Sequence, residues 1–294
     1  MNKLRTPGSR QNERWMELNF CSLSSGSSGN CFYLGNESNG ILIDAAISAG
    51  AIRKFLKSMG ISMQAVMGVL VTHNHSDHIR GLELLTRKNN LPVFTTLKVW
   101  KSVIASKNKI SGNSLREIGL QQKFHLAGFD IEAFPVSHDA PETIGFHVVA
   151  GDKKITIATD LGHICETAAP YIKAANLLVI ESNYDEQMLV NGLYPHFLKA
   201  RIQSDHGHLG NHQTSAFLAE IAGENLRHIC LAHLSNKNNT PEIALRTLQQ
   251  TFAERGISTN GQLRISVLNR HMPSEVIRLN GWNKSAKMEI RKPI

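Results

Sequence analysis

The sequence holds only four cysteines in 294 residues, Cys21, Cys31, Cys165 and Cys230, and no two of them form a CxxC pair. That scarcity excludes a disulfide-stapled secreted scaffold and fits a reducing cytoplasm. No run of apolar residues approaches the ~20 needed to cross a bilayer, and no early apolar run resembles a signal peptide, so neither a membrane span nor secretion is expected. Aromatic residues make up 6% of the chain, which leaves few platforms for stacking nucleobases and favours backbone recognition over base reading. Tyr184 and Tyr194 lie closest to the histidine-rich motifs. Acidic residues are also in deficit, 24 against 32 lysines and arginines, for a formal net charge of +8. This imbalance favours a polyanionic partner such as nucleic acid. What is present in quantity is hydrophobic residue, 41%, enough for a substantial core at a length near the upper end of one domain.

Residues 1–15, MNKLRTPGSRQNERW, are polar and basic without helical or strand periodicity, and read as a mobile leader ahead of a single domain over 16–294. Short apolar runs then alternate with Gly, Ser and Asn clusters: Leu18–Cys21, Cys31–Leu34 and Ile41–Asp44. This is the pattern of an antiparallel meander. The Ser/Gly stretch Ser22–Asn30 reads as a tight connection between strands. Its small residues, Ser28 and Asn30 among them, are candidates to approach a substrate phosphate. Apolar spacing predicts helices over Ile47–Met59, Ile79–Lys88, Leu97–Ala105, Gln213–Ala222 and Pro241–Arg255, the last capped by Thr240. Between them fall strands Ala65–Val71, Pro92–Thr95, Gln122–Leu126, Phe129–Pro135, Thr143–Ala150, Lys154–Ala158, Ala175–Glu181 and His228–His233. Strands and helices recurring in two halves indicate an α/β architecture, two sheets face to face with helices outside.

The strongest chemical signal is His73-Asn74-His75-Ser76-Asp77-His78, placed directly after an apolar strand and just before a helix. Three imidazoles and a carboxylate within six positions supply ligands for zinc, manganese or iron. In an extended loop His73 and His75 share one side, and the turn at Ser76 redirects Asp77 and His78 toward a second site. A histidine-rich surface loop is the bland alternative, and the strand-before, helix-after context argues against it. His138 in PVSHD, Asp160 in ATDLG and His233 in LAHLS are weak signals singly, since a lone polar residue at a strand end is usually a cap.

Taken together and in order, these residues resemble the signature of metallo-β-lactamase-fold hydrolases. The resemblance implies an αββα four-layer sandwich. It implies two divalent ions, one held by His73, His75 and His138, the other by Asp77, His78 and His233, with Asp160 shared. Asp44, ending its strand, resembles the buried aspartate that orients a histidine ligand. The segments CSLSSGSSGNCFYL, VTHNHSDHIRGL, PVSHDAPETIGF, TDLGH, ESNYDE, GHLGN and LAHLSNKNNTPE are similar to the YycJ/WalJ branch, over about Leu18 to Ile277. That branch comprises bacterial cytoplasmic nucleases regarded as 5′-to-3′ DNA exonucleases. Where its members commonly read Ser in GHLSN, this chain has Gly210.

A phosphodiester suits a two-metal centre, which activates a water and stabilises both the attacking and the leaving oxygen. Asp77 is the candidate to orient or deprotonate the nucleophile. His208 resembles the histidine that acts near the leaving group in nucleolytic members of the superfamily, with Glu181 in the place of its supporting glutamate. The bland readings are a solvated turn for His206, His208 and His212, and a strand-end cap for Glu181. A separate zinc site from those three histidines lacks a fourth ligand. Lys199 and Arg201 precede the loop and Lys237 follows His233; all three are candidates to neutralise backbone phosphates. The interval from Asp160 to His233 is already filled by predicted elements and leaves no room for an extra domain of at least ~50 residues. The leading expectation is a nuclease acting on DNA, with DNA resting on the resemblance alone. The alternatives are a hydrolase of a small thioester, lactam or lactone on the same metals, and a regulatory binding protein that keeps the metals without turnover.

Overall fold

Apolar runs punctuated by turn residues fold into the expected meander, β1 (Asn19–Ser24), β2 (Cys31–Gly35) and β3 (Gly40–Ile43), paired antiparallel. The computed structural model describes residues 18–106, 109–223, 225–259, 262–280 and 282, so the leader expected over 1–15 lies outside the described residues. After β3, helix α1 (Ala49–Ser58) crosses over to β4 (Val66–Leu70), which lies parallel to β3. Two short helices, α2 (Ser76–Ile79) and α3 (Leu82–Asn89), lead to β5 (Val93–Thr95); α4 (Leu97–Ala105) leads on to β6 (Leu115–Glu117). The second half opens with an antiparallel run, β7 (Lys123–Leu126), β8 (Phe129–Val136), β9 (Thr143–Ala150) and β10 (Lys153–Ala158). It continues through α5 (Ala169–Lys173), β11 (Leu177–Glu181), α6 (Glu186–Asn191), α7 (His196–Ile202), α8 (Asn211–Ile221), β12 (His228–Ala232), α9 (Pro241–Glu254) and β13 (Arg264–Val267). Strand β14 (Ile277–Arg278) returns to the first sheet beside β1. The sheet orders are β14-β1-β2-β3-β4-β5-β6 and β13-β12-β11-β10-β9-β8-β7.

The layering follows from side-chain alternation. Phe20, Phe32, Leu34, Ile41 and Ile43 of the first sheet meet Phe129, Ile131, Phe146, Val148, Ile155 and Val179 of the second, all fully buried between the sheets. Leu42, Val69 and Leu23 point outward under Ile52, Leu56, Leu85 and Val103 of the helices. Leu178, Ile180 and Leu231 do the same under Leu218 of α8 and Leu248 of α9. The result is helix, sheet, sheet, helix, the αββα arrangement. Among the described residues no helix is long and apolar enough to cross a membrane, and the four cysteines are free.

One predicted helix is interrupted. Ile79–Lys88 was expected to be continuous, but the chain breaks between α2 and α3 at Gly81. Gly81 N–H donates to the Ala45 carbonyl at 2.7 Å, and a Cβ there would lie 2.1 Å from the Ile47 carbonyl oxygen. Two backbones touch at this point, which only glycine permits, and the contact fixes the loop carrying the histidine cluster against the end of β3.

Buried in β9, His147 pairs with Thr156 of β10 and bonds its hydroxyl through Nδ1 at 2.8 Å. Burial, reinforced by the Lys154 charge, lowers this imidazole to about 4. An unfolded histidine titrates near 6.5, so above that pH neither state is protonated and the full stability is present. As pH falls from about 6.5 to about 4, the unfolded chain takes up a proton that the folded one resists, and up to roughly 3 kcal/mol is lost. His147→Gln should therefore flatten the fall in urea midpoint between neutral and acidic pH. An unchanged slope would dismiss His147 as a source of acid sensitivity.

Candidate metal centre

Strands β3 and β4 run parallel in one sheet, and β8, β10, β11 and β12 run parallel in sense in the other. Their carboxyl ends share one rim of the sandwich, and a polar residue stands at or up to three positions past each: Asp44, His73, His138, Asp160, Glu181 and His233. At three of these ends the backbone enters the left-handed region, with φ of 55° at Asp44, 59° at Asp160 and 55° at His233. Such conformations cost of order 1–3 kcal/mol at a non-glycine residue and gather at functional sites.

Three clusters of ligand atoms form there. His73, His75 and His138 compose one, Asp77, His78 and His233 another, and Asp160 joins His73 and His78 between them, with the atoms of each cluster within 4.8 Å of one another. The structure thus brings together all seven residues that the resemblance implied as ligands. His73 and His75 have ring centroids 4.6 Å apart, while helix α2 carries Asp77 and His78, whose ring lies 4.1 Å from His73 and 5.9 Å from His233.

His73, His78, His138 and His233 each turn Nδ1 to a protein partner, and His73, His138 and His233 leave Nε2 toward the cluster. Nδ1 of His78 bonds Asp44 at 2.6 Å, Nδ1 of His138 bonds the Gly207 carbonyl at 2.9 Å, and Nδ1 of His233 bonds Glu181 at 2.7 Å. Thr72 Oγ1 sits 3.0 Å from His73 Nδ1 and donates to Asp44 at 2.8 Å. On the cluster side, Nε2 of His73, His138 and His233 and Oδ2 of Asp160 are buried without a hydrogen-bond partner. Four converging orphaned donor or acceptor atoms are not a folding accident, because buried polar groups are normally paired. Imidazole nitrogen and carboxylate oxygen are what zinc, manganese and iron take as ligands, and nitrogens fixed from behind by carboxylate or carbonyl are the usual support of a metal-bound histidine. The residues present fit a pair of divalent ions.

Electrostatics point the same way. Asp44, Asp160 and Glu181 are buried at 0%, 2% and 0% exposure. Burial would raise the Asp160 carboxyl, but the His233 and His78 charges hold it well below the usual range. Glu181 is held down at about 2 against burial by His208 and His233. In turn His233, which burial would lower, is pushed up to about 10 by Asp160, Asp77 and Glu181. A buried pocket with this density of carboxylate calls for cationic compensation, and metal binding would release the histidine protons.

Glu181 does more than cap its strand. Its Oε1 accepts from His233 and from His208 Nδ1 at 2.8 Å, and its Oε2 accepts from the Leu161 and Leu209 N–H groups at 3.0 and 3.3 Å. It also belongs, with Asp160, His208 and His233, to a fourth cluster of close ligand atoms. The three histidines of the 206–212 stretch separate accordingly. His208 turns inward, its side chain 22% exposed, while exposed His206 bonds Ser137 and exposed His212 lies 3.9 Å from Glu186. They do not share a site of their own.

The candidate substrate contacts divide. Asn30 is fully buried and its amide reaches Gly26, Asp77 and His78, so it braces the histidine loop and is not available to a phosphate. Ser28 stays half-buried in the adjoining turn, and its neighbour Ser27 lines a pocket of about 170 Å³ with His208 and Arg201. Lys199 donates to the Val190 carbonyl at 2.6 Å. Arg201 is ion-paired with Asp139, whose other oxygen lies 3.2 Å from His138 Nε2. Tyr184 is buried at 3% and cannot serve as a stacking platform. At Gly210 a Cβ would meet Glu186 at 2.5 Å and the Tyr184 ring at 2.9 Å, so a serine there needs its neighbours to move.

The comparisons with known proteins agree with this geometry. Residues 39–233 match the family model described as the Beta-lactamase superfamily domain. The chain is 36% identical over 269 residues to the exodeoxyribonuclease YycJ of Bacillus anthracis, covering 89% of this chain and 99% of that protein. It is 33% identical over 247 residues to the exodeoxyribonuclease WalJ of Streptococcus pneumoniae, 83% of this chain and 91% of that protein. The fold is shared with the metallo-β-lactamase-fold protein YhfI of Bacillus subtilis, with a TM-score of 0.65 and 12% identity over 88% of this chain and 99% of that one. With two thirds of the sequence matched by one family model and 36% identity to a relative aligned over 99% of that relative's length, the chain belongs to the beta-lactamase superfamily as a metallo-β-lactamase-fold, YycJ/WalJ-like protein.

Proposed function

We propose that the protein is a cytoplasmic, binuclear metal-dependent exonuclease that hydrolyses phosphodiester bonds of DNA from a 5′ end. The observation that carries the reading is the His208–Glu181 pair, bonded at 2.8 Å beside the seven convergent histidine and aspartate side chains. A thioester or lactone has no obvious need of it, whereas a departing 3′-oxygen is a strong base that profits from a proton. The relatives named as exodeoxyribonucleases and the net charge of +8 support DNA as the substrate.

His73, His75 and His138 would hold one ion and Asp77, His78 and His233 the other, with Asp160 between them. Ions at these positions would bring a water toward ionisation near neutral pH and neutralise charge on the scissile phosphate. Asp77, 3.5 Å from His233 Nε2 and 19% exposed, orients the attacking water from the open side of the centre. Glu181 accepts the Nδ1–H of His208, which fixes the ring and leaves Nε2 as the proton-bearing atom facing the pocket. Burial would lower this imidazole, but the Glu181 charge outweighs it and keeps His208 above the ordinary histidine value. The proton on Nε2 passes to the leaving oxygen, and Glu181 stabilises the ring while it carries charge.

The test is release of mononucleotides from 5′-labelled and 3′-labelled DNA by metal-loaded protein, with manganese, zinc and iron tried separately. Label appearing first as mononucleotide from the 5′-labelled strand is the expected result. First release from the 3′ label would reverse the polarity. Thioester turnover without nucleotide release would favour the small-substrate alternative, and binding without turnover the regulatory one.

A further inference from the structure

Beside the metal centre the chain displays an apolar projection that the catalytic reading does not use. The turn between α6 and α7 is tightly held. Asp185 caps α6 by accepting from Met188 N–H at 2.9 Å, and Lys199 reaches back to the Val190 carbonyl. A Cβ on Gly192 would meet both Asn238 Oδ1 and the Met188 carbonyl at 2.7 Å. Yet this fixed turn presents Val190 at 60% exposure, Leu193 at 101% and Phe197 at 75%. Of the eleven phenylalanines in the sequence, all among the described residues, Phe197 alone is exposed.

Its surroundings indicate the partner. Leu198, Arg201 and Ile202 of the same helix line the pocket that holds His208, and Phe197 precedes them on that helix. Residues four apart share a helix side, which puts Phe197 one turn from Arg201, roughly 6 Å along the axis. One or two nucleotides of a strand span that distance, at about 3.4 Å each when stacked. An exposed aromatic ring one turn from a guanidinium that lines the His208 pocket, and that stays 59% exposed while paired with Asp139, is the chemistry that grips single-stranded nucleic acid. We propose that α7 and the turn before it form a platform on which a base of the substrate strand stacks, Phe197 supplying the ring and Arg201 facing the backbone. This inference rests on the nuclease reading and extends it from the scissile bond to the strand beyond.

Fluorescence anisotropy of metal-loaded protein with a single-stranded phosphorothioate oligonucleotide, which resists cleavage, tests the platform. Phe197→Ala should weaken binding about tenfold, and Phe197→Trp should restore it. The same loss should appear in kcat/KM for a long single strand, with turnover of bis(p-nitrophenyl) phosphate unaffected. Equal oligonucleotide affinity in wild type and Phe197→Ala would overturn the platform and leave the nuclease reading standing. A wild-type protein that neither binds nor cleaves DNA would overturn the nuclease reading and the platform with it. Conversion of a dimer to a monomer by Phe197→Ala in sedimentation would assign the surface to a second copy of this chain instead.

Discussion

Asp160→Ala should leave the purified protein short of bound divalent metal and lower phosphodiester cleavage by at least about a thousandfold, because electrostatic stabilisation by metal is worth several kcal/mol and each 1.4 kcal/mol is tenfold. The residue lies between the two histidine clusters, with Oδ2 3.2 Å from His78 and Oδ1 3.2 Å from His233 Nδ1. No other buried carboxylate oxygen of the centre is left without a hydrogen-bond partner among the described residues. Asp77→Ala should act in the same direction, but through the second cluster alone. Elemental analysis of protein purified without chelator, read beside the cleavage rate, decides the matter. A full complement of metal in Asp160→Ala would contradict the bridging assignment, whatever the rate.

His208→Ala makes the opposite pairing of outcomes. Metal content should stay at the wild-type level, since no ligand nitrogen is removed, while DNA cleavage slows about 10²- to 10⁴-fold, the usual contribution of a general acid. The chemistry offers an internal control. A p-nitrophenolate leaves without help, so the variant should lose far less on bis(p-nitrophenyl) phosphate than on DNA. Equal losses on both substrates would show that His208 acts on something other than the leaving group, and an unchanged rate on DNA would remove it from the mechanism.

The cluster at 73–78 was legible because ligand chemistry is compressed into six consecutive positions between a strand and a helix. His138, Asp160 and His233 were legible only through their order, since each alone looks like a strand-end cap. Sequence reading placed the strands Thr143–Ala150 and the helix Leu97–Ala105 at their observed bounds, and Thr240 does accept from Ile243 N–H as a cap. These elements carry strong periodicity or an unambiguous cap. Strands β6, β13 and β14 escaped because they are short edge or near-edge strands with charged or half-exposed residues. Helices α5, α6 and α7 escaped because five to seven residues give too little periodicity to register.

In the site, the supporting residues were the hard part. Thr72, Asn183 and Gly207 touch His73, His233 and His138 through a hydroxyl, an amide and a carbonyl, and such atoms announce nothing in a sequence. Asn30 was read as facing a phosphate because it sits in a Ser/Gly turn, but its burial and its bonds to the histidine loop make it part of the scaffold. Asp139 stands next to His138 in sequence, and adjacency alone does not show that its carboxylate turns toward His138 and Arg201. Glu181 had a signal, the strand end before it, but its grip on His233 as well as His208 depends on contacts between segments 52 and 27 residues apart.

His73, His75, Asp77 and His78 leave the end of β4 in one sheet, whereas His138, Asp160 and His233 leave strands of the other. Ions bound among them would rivet the two leaves of the sandwich together at one seam. In a chain whose cysteines are all unpaired, that rivet would do the work for which an exported protein uses a cross-link, and the leaves could not part without first emptying the reactive centre.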